Sequence, residues 1–279
     1  MARFRRTLGK EVSWRGRGIH TGRESGVRVL PAEPGEGIIF SLDSGRFPVK
    51  DAFRDGSRRS MELTFPGGGS VRTVEHLLAA IAGVGLDDAV IAPEGPEIPI
   101  LDGSAFLFAS AMIEGGVVET DIPYNPAYLS SPICVCDGPS SVCAIPSEEF
   151  RITYVIDYPG SAIGTEMKDV LVTEETFMSE IAPARTFCLE SEADSLREAG
   201  LALGGSLENT LVIGAGGPLG SGYRVERECA AHKIADFMGD MACAGFTANA
   251  RYICVRAGHR LHSRLMDRIA KSALNNSGR

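Results

Sequence analysis

His232, Asp236 and Asp240 stand four residues apart in the segment 226–245, ERECAAHKIADFMGDMACAG. At that spacing the three side chains leave one face of a helix. Ala231, Ile234, Ala235, Met238, Met241 and Ala242 gather on the opposite arc, the pattern of a helix packed on a core. An imidazole one turn before a carboxylate offers a two-point grip on a divalent transition metal. The same stripe would equally serve as the solvated face of a surface helix. A second histidine–carboxylate pair, Glu75-His76, opens another helical segment, Ser70–Leu86 (SVRTVEHLLAAIAGVGL). Leu77 through Val84 carry no charge, so this helix is expected to be apolar all round and buried, with Thr73 as its N-cap. A charged dyad at the mouth of a buried helix is costly without a partner. Either Glu75 is a capping carboxylate beside a satisfied histidine, or the two residues serve a metal. A catalytic zinc centre takes three protein ligands, leaves one position open and keeps a carboxylate at hand for the water proton. His76, His232 and Asp236 supply three ligands and Glu75 is left as the base, which points to hydrolysis.

The chain that must position these residues has 279 of them, enough for one large or two ordinary domains, and its 44% hydrophobic and 23% charged content is that of a soluble globular protein. A net charge of −8 argues against generic nucleic-acid binding, so an anionic substrate would need a local basic cluster. The basic N-terminal stretch MARFRRTLGKEVSWRGRG lacks the apolar run of a secretory signal. The longest uncharged apolar run, Leu77–Leu86, is too short to span a bilayer. Seven cysteines without a CxxC pair fit reduced thiols in a cytoplasmic protein, with Cys134-Val-Cys136 lying along a strand.

Periodicity gives strands at Val27–Leu30 and Gly37–Ser41, the buried helix, a strand Asp88–Ala92 and a helix from Phe106 to Glu114. After the Pro-rich join Ile122–Pro126 the pattern recurs. Strands Ile133–Cys136 and Phe150–Asp157 lead to helical stretches at Glu174–Glu180 and Glu192–Ala199. A strand Thr210–Ile213 comes next, then the His/Asp helix, a strand Arg251–Arg256 and a last helix Arg260–Leu274. TVEHLLAAIAGVG and AAHKIADFMGDMA overlie each other with their histidines one position apart. The expected class is therefore α+β, built as two similar two-layer α/β sandwich domains, 1–124 and 125–279, across a cleft that holds the metal. The Gly-rich run GAGGPLGSG (Gly214–Gly222) lacks a phosphate-loop pattern and reads as a hairpin connection. His20, between glycines in GRGIHTG, reads as structural.

GIHTG (18–22), TVEHLLAA (73–80), EIPILDGSA (97–105), ARTF (184–187), LGGSLENTLV (203–212), HKIADFMGD (232–240) and AGHRLHSRL (257–265) occur in an order that resembles the zinc-dependent UDP-3-O-acyl-N-acetylglucosamine deacetylases, which commit Gram-negative bacteria to lipid A synthesis. The resemblance runs from about Arg6 to Leu274. It implies two similar α+β domains with zinc, or ferrous iron, at their junction, held by His76, His232 and Asp236, and Glu75 as general base. It further implies that Thr186 donates to the oxyanion, that His259 stays protonated and stabilises it, and that Asp240 orients His259. By the same resemblance Lys233 contacts substrate, Arg256 lies near the diphosphate, and an inserted βαβ unit at about 187–213, beginning with Phe187, forms a passage for the acyl chain. The implied enzyme is a cytoplasmic monomer acting on a small-molecule UDP-sugar, with no nucleic-acid partner and no integral membrane segment. The sequence departs from the family at Ala231, where arginine is common, and at Asp157-Tyr158-Pro159-Gly160, in a region bordering the nucleotide.

Overall fold

Alternation of buried and half-buried residues marks the central strands, as in Arg151–Tyr158, where Ile152, Tyr154 and Ile156 point to the core. The computed structural model describes residues 3–57, 59–246 and 248–276, leaving Met1 and Ala2 of the basic N-terminal stretch outside. In the first half, strands β1 (Phe4–Leu8), β2 (Val12–Arg17), β3 (Glu24–Leu30), β4 (Ile38–Leu42), β5 (Gly45–Pro48), β6 (Phe53–Asp55), β7 (Glu62–Thr64) and β8 (Ser70–Arg72) precede helix α1 (Glu75–Gly83), strand β9 (Ala89–Glu94) and helix α2 (Phe106–Gly115). Strands β10 (Val117–Pro123) and β11 (Ala127–Tyr128) make the join. The second half runs β12 (Ile133–Asp137), β13 (Ser140–Pro146), β14 (Arg151–Tyr158), β15 (Gly164–Leu171) and α3 (Glu174–Thr176), then β16 (Phe187–Leu189), α4 (Ala193–Glu198), β17 (Leu211–Gly214) and β18 (Gly217–Pro218). Helix α5 (Glu228–Ala242), strand β19 (Ala248–Val255) and helix α6 (His259–Asn276) complete it.

The two main sheets share one plan. The first has the order β2-β3-β9-β4-β5 and the second β12-β13-β19-β14-β15. In each, the strand made last lies in the middle. Strand β9 runs antiparallel to β3 and parallel to β4, just as β19 runs antiparallel to β13 and parallel to β14. The two-layer α+β architecture expected from the element order is present, and the weak internal similarity of the two histidine helices has its counterpart in this repeated topology. Helices α5 and α6 lie on the second sheet, α2 reaches the first through β2, and α1 packs along α5 where the two helical layers meet. Helix α1 is apolar all round and buried, as its sequence requires.

Several details differ from the sequence expectations. Residues 70–72 form a strand, and the helix starts only at Glu75. Thr73 does not cap it: the residue is left-handed (φ 57°) and its hydroxyl bonds Glu97, while Val74 occupies the cap without a side-chain bond. The helical stretch at 174–180 is one α turn followed by a widened π turn, Phe177–Ile181. Cys134 and Cys143 face each other across β12 and β13 with Cα atoms 4.1 Å apart and are joined as a disulfide, where reduced thiols were expected; directly opposed positions on antiparallel strands approach closely enough for that bond. The run Gly214–Gly222 does turn the chain back, from β17 into β18.

The meeting of α1 and α5 depends on one missing side chain. A Cβ at Gly239 would lie 2.0 Å from the carbonyl oxygen of Glu75. Mid-helix Gly→Ala ordinarily gains ~0.5–1 kcal/mol, but here backbone would have to move and overpacking costs about 1–3 kcal/mol. Gly239→Ala is therefore expected to lower the thermal midpoint and also to slow turnover, because the displaced backbone carries Glu75. A variant as stable and as active as the parent in parallel melting and rate measurements would show that the helices can part at no cost.

Candidate metal centre and active site

Two helices present the chemistry and a buried carboxylate fixes how they enter. Glu97, 1% exposed, accepts bonds from the backbone N–H groups of His20 and Thr21 and from the hydroxyls of Thr21 and Thr73. It ties the GIHTG loop to the residue that leads into α1. With that entry fixed, α1 places Glu75 and His76 opposite His232 and Asp236 of α5, all four on the wall of a cavity of about 680 Å³. His20 lines the same cavity and its Nδ1 accepts from the Ala202 N–H at 3.4 Å; burial pushes its pKa down, in keeping with a neutral acceptor.

One ligand atom from each of His76, His232 and Asp236 lies within 4.8 Å of the others. His232 Nε2 is 3.2 Å and His76 Nε2 3.8 Å from Asp236 Oδ1, and the two imidazoles meet edge to face at 5.0 Å. His232 Nδ1 donates to the Ala184 carbonyl at 3.2 Å, which leaves Nε2 as the ring nitrogen facing the trio. Burial, then the charge of His232, pushes the His76 pKa down to about 3, so its ring is neutral. His76 Nδ1 is buried with no hydrogen-bond partner among the described residues. Burial opposes ionisation of Asp236, but His232 and Lys233 outweigh it and hold the carboxyl well below its usual range. Two imidazoles, each with a ring nitrogen turned to the trio, and an ionised carboxylate, all buried, are a donor set that a divalent metal takes, and these residues fit one.

Glu75 sits beside this trio, 3% exposed, with Oε2 accepting from the Met61 N–H at 3.1 Å. Burial pushes its pKa up to about 8, against the charge of His259. A divalent cation beside it would favour the carboxylate. On the opposite side His259, the first residue of α6, donates from Nδ1 to Asp240 Oδ2 at 2.7 Å. Burial alone would lower the His259 pKa; Asp240, by charge and hydrogen bond, raises it to about 9. Asp240 is completely buried, so the stripe on α5 is not a solvated face; α1 and α6 cover it.

The other expected residues spread along the same cavity. Thr186 lies on its wall, its backbone held between the Gly103 carbonyl and the Leu211 N–H. Arg185, 1% exposed, fixes this corner through Glu228 at the start of α5, which accepts from the Arg185 N–H at 3.0 Å and from its Nε at 2.8 Å. The Phe187 ring lies under the Lys233 ammonium, 5.6 Å away, and Lys233 Nζ donates to Asp236 Oδ2 at 2.7 Å. Arg256 also lines the cavity and is paired with Asp157 at 3.2 Å. Strands β16 and β17 run parallel with α4 between them, a βαβ unit whose Phe187, Cys188, Leu189, Leu196 and Thr210 form one side of the cavity. All ten expected site residues except Asp240 line this cavity, and Asp240 touches it through His259. Sequence reasoning passed over Glu97, the Arg185–Glu228 pair and His262. Glu97 stands in a turn-rich stretch, EGPEIP, that gives no local sign of its partners.

Residues 5–271 match the model of a family described as UDP-3-O-acyl N-acetylglycosamine deacetylase. Proteins named UDP-3-O-acyl-N-acetylglucosamine deacetylase are similar along almost their whole length. That of Thermosynechococcus vestitus is 39% identical over 274 residues, covering 97% of this chain and 95% of the relative. That of a Nostoc species is 39% identical over 274 residues (94% and 97%), and that of Syntrophotalea carbinolica 38% over 275 residues (97% and 89%).

Proposed function

The chain belongs to the UDP-3-O-acyl N-acetylglycosamine deacetylase family, and from that premise we propose that it hydrolyses the acetamide of UDP-3-O-acyl-N-acetylglucosamine, giving acetate and a free 2-amino group. The observation that carries this reading is the convergence of His76, His232, Asp236, Glu75 and the Asp240–His259 pair on one cavity. His76, His232 and Asp236 would hold zinc, with ferrous iron as the alternative. When bound, such an ion supplies Lewis acidity and makes water a better nucleophile near neutral pH.

The protein's own groups do the rest. Glu75 takes a proton from the attacking water, and its burial limits competition from solvent. Protonated His259 and the Thr186 hydroxyl stabilise the negative charge that develops on the carbonyl oxygen. His259 then delivers a proton to the departing nitrogen, and Asp240 holds the ring for both tasks. Lys233, Phe187 and Arg256 bind the substrate, and the βαβ unit at 187–213 receives the acyl chain. We assign the two layered halves, 1–124 and 125–279, as the domains between which the substrate lies. No helix among the described residues is long and apolar enough to cross a membrane, and we place the enzyme in the cytoplasm as a monomer.

Metal-loaded protein is expected to release acetate from UDP-3-O-acyl-N-acetylglucosamine, followed by mass spectrometry, and to lose the activity on chelation. UDP should compete. Turnover that UDP fails to inhibit would instead mark a zinc amidase for another acylated amine, and a metal-loaded protein releasing no acetate would sink the proposal.

The pH profile tests the Asp240–His259 pair separately. His259 acts protonated and Asp240 raises its pKa to about 9, so activity is lost as pH rises through that region. Asp240→Asn removes the negative charge, the His259 pKa falls, and the basic limb of the kcat/KM profile should move to lower pH with the metal retained. A basic limb that stays in place would separate Asp240 from that ionisation.

A further inference from the structure

Asp240 Oδ2 accepts two hydrogen bonds. His259 Nδ1 and His262 Nδ1 both lie 2.7 Å from it, from rings three residues apart on one face of α6. Among the described residues no bond reaches the other oxygen, Oδ1, which is buried. A carboxylate held at one oxygen by one donor can still turn about its Cβ–Cγ bond. Two donors arriving from fixed directions set both the position of that oxygen and the plane of the group.

His262 is itself fixed. It is fully buried, packs edge to face on Phe237 with ring centres 5.0 Å apart, and has Nε2 3.1 Å from the Tyr154 hydroxyl. Tyr154 Oη donates its proton to the Ala257 carbonyl at 2.9 Å, which fixes the hydroxyl against which His262 Nε2 rests. At the other end of the ring Nδ1 donates to the Asp240 carboxylate, which can only accept, and meets at Oδ2 the bond from His259. Although it shares a helix with His259, His262 does not reach the cavity wall.

We infer that His262, held by Tyr154, is a positioning residue: it fixes the Asp240 carboxylate so that His259 is aimed at the reacting atoms. The inference rests on the reading of His259 given above, and it adds a residue that acts only through Asp240.

The test uses the full-length, metal-loaded enzyme and four variants. His262→Leu removes the second donor, and a misaimed catalytic group can cost up to ~10²-fold in rate, so kcat should fall by roughly 10–10²-fold. Because the group acts chiefly in the transition state, KM should stay within about two-fold. His262→Asn keeps an N–H close to where Nδ1 stands and should recover most of the lost kcat. Tyr154→Phe, which removes only the far hydroxyl, should lower kcat less than His262→Leu, again at constant KM. A His262→Leu enzyme with parental kcat, or an asparagine variant as slow as the leucine one despite an equal melting temperature, would overturn the inference. Should His262→Leu fail to fold, parental kcat in Tyr154→Phe overturns it. His259→Ala is the control for the underlying reading. If His259→Ala is as fast as the parent, the role of His259 itself is wrong; if it is slow while the His262 and Tyr154 variants are not, only the positioning role fails.

Discussion

Glu75→Gln is expected to turn over about 10²–10⁴-fold more slowly than the parent while carrying the same metal, the range by which a positioned general base contributes. The amide is nearly isosteric with the carboxylate and can still accept the Met61 N–H through its oxygen. His259, whose charge acts on Glu75, keeps its bond to Asp240 in this variant, so the buried imidazole is not left without a carboxylate. The backbone of Glu75, against which Gly239 packs, is untouched. Loss of rate with unchanged metal content and melting temperature would therefore isolate proton transfer. A rate within a few-fold of the parent would exclude Glu75 as the base.

Replacing either His76 or His232 by alanine should have the larger effect of removing the metal altogether. With three protein ligands none is spare, and two-ligand sites hold divalent ions far more weakly. Metal per chain, measured by plasma mass spectrometry after dialysis, should fall close to zero, and acetate release with it. The two variants should differ in stability. His232→Ala also deletes the bond to the Ala184 carbonyl, whereas His76 Nδ1 has no partner to lose among the described residues. A variant that keeps a full equivalent of tightly held metal would overturn the ligand assignment for that residue.

Much of this site could be read before the fold was known because its chemistry is written in helical spacing. His232, Asp236 and Asp240 recur every four residues, and Glu75-His76 heads a run with no charge, so each helix announced both its own face and the other's need for a partner. The repeated element order gave the two-layer class for the same reason. Strands of three residues such as β6, β7 and β8 hold too few alternations to register. What stayed hidden was long-range. Glu97 looks like an ordinary charge in a turn, and its donors lie at residues 20, 21 and 73. Arg185 and Glu228 are 43 residues apart and His262 serves a carboxylate 22 residues away. Thr73 misled because a threonine two residues before a helix imitates a cap, whereas tertiary bonding to Glu97 had already claimed its hydroxyl. No spacing rule reports such claims.

The repeated strand order also sets an order of assembly. Among the described residues, strand β19 is the only link between the hairpin β12–β13 and the hairpin β14–β15 in the second sheet. Its pairing joins residues 151–155 to 251–255, a loop closure across a hundred positions. A nascent chain stopped short of Val255 therefore holds two separate hairpins in place of a sheet, with α5 already made and no floor beneath it. Its His232 and Asp236 exist by then, as does the apolar α1 waiting to be covered, so the ligands are synthesised before the sheet that supports them can close. Only once β19, and then His259 on α6, have been made can that sheet close and the site be completed; until then its apolar faces are open to the contacts that drive aggregation.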